Sequence, residues 1–208
     1  MQFKTIVAAF FLRKGPGNCP TLQELVRTAG MTRVESLEAI ERRALGIHDP
    51  AREVVGGTWG AFGDTWAVLD ETEGLACVQL YASMNGYLDA QLKADDSRSE
   101  APVLAYIATF RDACLSLKPV AALFDTRSHY GDERWENQQG NRDWVLAQSH
   151  LIAASDVDGL ADEWYSLLYL SEPLARLWHS NPLRDDRDRI DIPGGRLVFA
   201  GSGRARLS

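Results

Sequence analysis

The amino-acid sequence predicts a single α+β domain over residues 1–208, a mainly antiparallel sheet with a helical layer. Three observations carry this. Residues 3–12 (FKTIVAAFFL) are a continuous apolar run with β-branched and aromatic members. Residues 52–82 hold alternating apolar and polar positions broken by a turn sequence. Val103, Ile107, Phe110, Cys114 and Leu117 recur at 4-3-4-3 spacing, which only a helix turns into one face.

The run 3–12 suits a buried strand, and KGPGNCP breaks the chain after it. Two helix starts follow. Thr21-Leu-Gln-Glu24 and Thr32-Arg-Val-Glu35 both fit a capping box, in which a Thr oxygen and a Glu carboxylate reciprocally satisfy backbone N–H groups. Gly30 and Gly46 offer left-handed C-caps, so helices are expected over 21–29 and 33–45 as a helical hairpin within 21–46. Leu22, Leu25, Val26 and Ala29 form the first apolar face; Val34, Leu37, Ile40 and Ala44 form the second.

In the alternating segment, Val54-Val55 leads into GGTWGAFG. Trp66 and Val68, then Leu75, Cys77, Gln79 and Tyr81, predict two strands joined by a turn at Asp70–Gly74. Residues 83–100 are polar, with a short helix expected at Tyr87 to Leu92. A helix over 101–117, stopped by Lys118-Pro119, leads to a short strand at Val120–Phe124. Residues 126–140 (TRSHYGDERWENQQG) make a long polar loop, of a length that often carries function. A helix is expected over 142–154. Asp158 then caps a segment, 159–179, that reads mainly as helix, although Trp164–Leu170 fits a strand equally well. Ile190–Ala200 reads as a hairpin turned at Pro193-Gly194-Gly195.

Composition excludes several classes. With 45% hydrophobic and 25% charged residues, the chain is neither disordered nor collagen-like. The formal charge of −7 argues against general nucleic-acid binding, which needs a positive face. Cys19, Cys77 and Cys114 are sparse, odd in number and without a CxxC pair, as in reduced buried thiols of a cytoplasmic protein. The run Thr5–Leu12 is too short for a signal sequence, is closed at once by Arg13-Lys14, and no later stretch is long enough to span a membrane.

Charge is distributed unevenly. Residues 64–100 hold eight acids and two bases, and residues 125–163 hold nine acids and three bases, so each tract nets −6. Two such tracts can steer a basic partner.

Known motifs fail on inspection. The hairpin 21–46 invites a helix-turn-helix reading, but Ser36 falls where an apolar anchor belongs. Its second helix would offset Arg33, Arg42 and Arg43 with Glu35, Glu38 and Glu41. In GGTWGAFG, Gly63 is followed by Asp64 rather than by Lys-Ser/Thr, so it lacks the charge of a phosphate loop and reads as a glycine-bent strand pair packed by Trp59, Phe62 and Trp66. Asp156-Val-Asp158-Gly159 begins like a calcium loop but lacks its remaining ligands and reads as a helix cap. Gly201-Ser202-Gly203 is no nucleophile elbow.

The best polar constellation is Asp125, His129, Asp132 and Glu133, at a strand end and on the loop that follows, where acid–base or metal chemistry is common. His150 is a further imidazole that could reach it. No metal-site spacing is present, and no cofactor or metal is expected. Trp135 and Trp144 flank the polar loop, and a Trp beside carboxylates has the composition of a binding hot spot.

The sequence therefore points away from an enzyme and towards a cytoplasmic protein-binding module. Its acidic, Trp-bearing surface includes Asp132, Glu133, Trp135, Glu136 and Trp144, and its partner is a basic protein. A neutralising protein of the immunity or antitoxin type is one concrete form. The alternatives are a small-molecule or metal-dependent enzyme centred on Asp125, His129 and Glu133, and DNA binding through helices 21–46.

Overall fold

The computed structural model describes residues 5–15, 20–45, 47, 49–83, 101–125, 138–162, 167–178 and 189–199. Among the described residues, nine strands form one antiparallel sheet in the order β2-β3-β4-β5-β1-β6-β7-β9-β8. They are β1 (Thr5–Arg13), β2 (Met31–Ser36), β3 (Val54–Trp59), β4 (Asp64–Glu71), β5 (Leu75–Ser83), β6 (Ala121–Asp125), β7 (Leu167–Ser171), β8 (Arg189–Ile192) and β9 (Gly195–Phe199). The helices are α1 (Leu22–Thr28), α2 (Ala39–Ala44), α3 (Ala101–Leu117), α4 (Gln138–Ala153), α5 (Val157–Asp162) and α6 (Glu172–Trp178), with one 3-10 turn at Gly60–Phe62. The fold is α+β, and no helix among the described residues is long and apolar enough to cross a membrane.

The apolar run of β1 lies at the centre of the sheet, between β5 and β6. Its alternate residues enter different cores. Ala8 and Phe10 pack with α1 and α3, whereas Ala9 and Phe11 pack with α4, α5 and α6. Helices therefore cover both faces, where a single helical layer was expected. A strand apolar at every position is what a doubly covered sheet requires. β5 shows the same thing, being buried from Leu75 to Ala82.

The first core is rich in rings. Trp59 stacks on Phe62 with centroids 4.5 Å apart, and Phe10 meets Phe110 at 5.4 Å. The Trp59 indole N–H donates to the Ala29 carbonyl at 2.9 Å, which ties β3 to the end of α1. These rings fill the space beneath GGTWGAFG. Gly56 and Gly57 are small because β2 and the residues after it approach closely. A Cβ on Gly57 would lie 2.6 Å from the Thr32 carbonyl oxygen, and one on Gly56 would lie 2.6 Å from the Leu37 side chain.

Several local expectations are met. The Thr21–Glu24 capping box opens α1, and Gly30 takes φ +90° after it. Strands β4 and β5 are joined by a turn with Gly74 at φ +80°, and β8 and β9 form the hairpin at Pro193-Gly194.

The helical hairpin over 21–46 is not formed, because its second helix is replaced by strand β2 followed by the six-residue α2. A bulge between Thr32 and Glu35, with Arg33 at φ +52°, lets Met31 and Val34 pack against the same core. It thus gives a strand the three-residue spacing that reads as helical. The capping box belongs to Glu38 and Glu41, and Ile40 is 74% exposed rather than on an apolar face. With a strand where the recognition helix would stand, residues 21–46 are not a helix-turn-helix.

The segment 159–179 likewise divides, into the end of α5, strand β7 and helix α6. Asp156 rather than Asp158 caps α5: its carboxylate accepts from the Gly159 N–H at 2.8 Å.

Candidate functional site

A polar network interrupts the apolar face that carries Phe11. Across β4, β5 and β1, Trp66, Tyr81 and Val7 share one register row, Val68, Gln79 and Ala9 the next, and Asp70, Cys77 and Phe11 the third. Asp70 and Gln79 are thus diagonal neighbours across one strand pair, within reach of each other. The Gln79 amide donates to Asp70 Oδ2 at 2.5 Å, and the Tyr81 hydroxyl donates to Gln79 Oε1 at 2.6 Å. Tyr81 is itself held by a parallel stack on Trp66, with centroids 4.0 Å apart.

Arg52 completes the network from the segment that precedes β3. Its Nη2 donates to the same Asp70 oxygen that accepts from Gln79, and both partners of this ion pair are buried. The backbone of that segment is fastened by Arg42 of α2, which donates to the carbonyl oxygens of Asp49 (2.5 Å), Pro50 (3.4 Å) and Arg52 (2.7 Å). A second guanidinium arrives from α4. Arg142 lies 3.8 Å from Asp70 Oδ1 through Nε and donates to Asp49 Oδ2 at 3.1 Å through Nη2.

Above the network is an open cleft of about 620 Å³. It is bounded by residues 49–53, by the β4–β5 turn and by the first turns of α4. Its lining carries five carboxylates (Asp49, Glu53, Asp70, Glu71, Asp143) and two guanidiniums (Arg52, Arg142), a balance of −3. Both guanidiniums are engaged by Asp70 and Asp49, Glu71 is held by Lys14, and the carboxylates of the lining outnumber its guanidiniums. Leu146, 45% exposed, adds an apolar side chain to the rim.

Burial holds the Asp70 carboxyl above its ordinary value of 3.8, against the opposing pull of Arg52, then Arg142, and of its hydrogen bonds. Asp49 is held below that value, first by the Ala51 N–H, which outweighs the opposing effect of burial, with Arg142 and then Arg52 adding to the lowering. A carboxylate that accepts two hydrogen bonds on one oxygen and faces a guanidinium on the other anchors structure; it does not stand ready as a general base. Because its folded value is raised, the stability linked to Asp70 is fully present below pH 3.8 and is lost as pH rises through the folded midpoint. A carbon-13 titration of Asp70 should give a midpoint above 3.8, moving higher still in Arg142→Gln. A midpoint unmoved by that substitution would show that Arg142 does not act on Asp70.

Asp125 ends β6 at the register position opposite Val7, in the same row as Tyr81. His129, Asp132, Glu133, Trp135 and Glu136 lie outside the described residues, as do Cys19, His48 and His179. Trp144 is half-buried, with its ring 6.3 Å from that of Phe11, and it packs against the core under α4. His150 is exposed on the last turn of α4. Cys77 and Cys114 are free and buried on opposite sides of the sheet, and burial pushes both thiols well above their ordinary value. Among the described residues, no three His, Cys, Asp or Glu side chains are grouped to hold a metal ion.

Sequence reasoning missed Arg52, Asp70, Gln79 and Arg142 as a unit. The turn signal over 70–74 places Asp70 in the turn, whereas it is the penultimate residue of β4. One signal was present: Gln79 alternates with Cys77 and Tyr81 in an otherwise apolar stripe, and a buried amide needs partners.

No protein-family model, curated protein or solved structure matches this chain.

Proposed function

We propose that the protein is a binding module that presents its acid-lined cleft to a basic protein partner. One observation carries the reading: the fold brings acids from both tracts to one cleft. Asp70 and Glu71 come from the first tract and Asp143 from the second, and Asp49 and Glu53 add to them in the same lining. Such a surface accelerates encounter with a cationic partner and selects against acidic ones. The buried network beneath it supplies a floor that need not reorganise on binding, which lowers the cost of association. Leu146 offers the apolar contact that a purely ionic rim lacks.

A neutralising protein of the immunity or antitoxin type, holding a basic toxin in the cytoplasm, is the concrete form of this reading. The buried free thiols of Cys77 and Cys114 are consistent with a reducing compartment. The test is capture from the native lysate on the immobilised protein at two salt concentrations. The expected result is a near-stoichiometric basic protein that is retained at low salt and released at high salt. Retention of acidic proteins, or of a partner indifferent to salt, would contradict the proposal.

A further inference from the structure

We propose a second site, separate from the acidic cleft although Lys14 on its rim pairs with Glu71 of that cleft: a cavity that takes a small aliphatic monoanion, with the chemistry of a medium-chain carboxylate. The cavity, about 590 Å³, lies at the end of the sheet where β1 leaves it, between α1, the last turn of α3 and the start of β6. That volume is within the range of small-molecule pockets.

Its floor is aliphatic. Leu12, Leu25, Leu117 and Val120 line it, and among the described residues of the lining there is no aromatic side chain, so its chemistry suits an alkyl chain better than a ring. Its rim is cationic. Arg13, Lys14 and Lys118 line it, and among the described residues of the lining there is no carboxylate. In a chain of charge −7 with four lysines, two of the four stand at this one opening. Lys14 is held by Glu71 at 2.6 Å. Arg13 and Lys118 have no carboxylate partner among the described residues, and both are exposed at the mouth.

Lys118 occupies this place at a conformational cost. It takes φ +50°, a left-handed conformation that lysine disfavours, immediately after α3. The carbonyl end of α3 contributes about half a negative charge nearby, which opposes an anion. Lys118 offsets that half charge, and Arg13 leaves the opening positive. Ser171 adds a hydroxyl to the same lining. An aliphatic floor with a cationic mouth is the complement of an alkyl carboxylate.

The probe is octanoate, with octanamide as its neutral isostere, added to the full chain carrying methyl-labelled leucine. Octanoate should shift the Leu25 and Leu117 methyl resonances saturably, and octanamide should bind at least about tenfold more weakly for want of a charge-assisted contact. Arg13→Gln/Lys118→Asn should remove that difference. Asparagine tolerates the left-handed backbone, so this variant loses charge while keeping its fold, as a circular-dichroism melt would verify. Leu117→Trp, which fills the floor, should abolish binding of both probes. Three results would each overturn the proposal: no saturable shift in the wild type up to about 10 mM octanoate, shifts confined to other residues, or equal binding of the two probes in the wild type.

Discussion

Replacing Arg52 with methionine should destabilise the protein by about 3–5 kcal/mol, because it leaves a buried carboxylate with no adequate counter-charge. Asp70 sits on a sheet face whose neighbours are Val68, Cys77 and Phe11, and it is less than one-tenth exposed. Even with Arg52 in place, burial outweighs the guanidiniums and holds the carboxyl above its ordinary value. Without Arg52, only Gln79 and the more distant Arg142 remain. The double variant Arg52→Met/Asp70→Leu should recover most of the loss, since well-packed apolar residues often replace a buried pair without penalty. Urea unfolding of both variants measures this through the midpoint at constant slope. A loss below about 1 kcal/mol in the single variant would place the pair in water, as a surface ion pair.

Truncating Trp59 to alanine is the second large effect, expected at about 3–5 kcal/mol for the cavity alone. The indole is 1% exposed, stacks on Phe62 and meets Phe10 edge-on at 6.1 Å. Its N–H bond to Ala29 is lost as well, leaving a buried carbonyl without that donor. Trp59→Phe keeps most of the ring volume and should cost markedly less. Thermal melts of the two variants separate packing from the hydrogen bond, and equal losses would assign the effect to the hydrogen bond alone.

What was legible in the sequence is what local chemistry decides. The stripe Val103–Leu117 with Pro119 behind it places α3, Thr21–Glu24 places the start of α1, and Pro193-Gly194 places the last hairpin. The failures come from long-range structure. The bulge between Thr32 and Glu35 gives β2 a helical spacing that only its pairing with β3 explains. The strand within 159–179 is settled by β6 and β9, which flank it.

The site was harder still, because its members are distant in sequence. Arg52 and Asp70 are 18 residues apart, and Arg142 and Asp49 are 93 apart. No local pattern joins them. The excess of acid in two tracts is visible in the sequence, but the meeting of Asp70 and Glu71 with Asp143 at one cleft follows from the antiparallel turn of β4 into β5 and from the placement of α4.

The measurement that tests the central claim most directly is the affinity of the captured basic partner for the wild type and for Glu53→Lys/Asp143→Lys, across a salt series. Both substitutions lie on the cleft lining and leave Arg52, Asp70 and Gln79 in place. The account predicts binding at least about tenfold weaker in the variant, with a shallower dependence on salt. Equal affinity and an unchanged salt slope would show that the partner binds elsewhere and that the acidic cleft is not the interface.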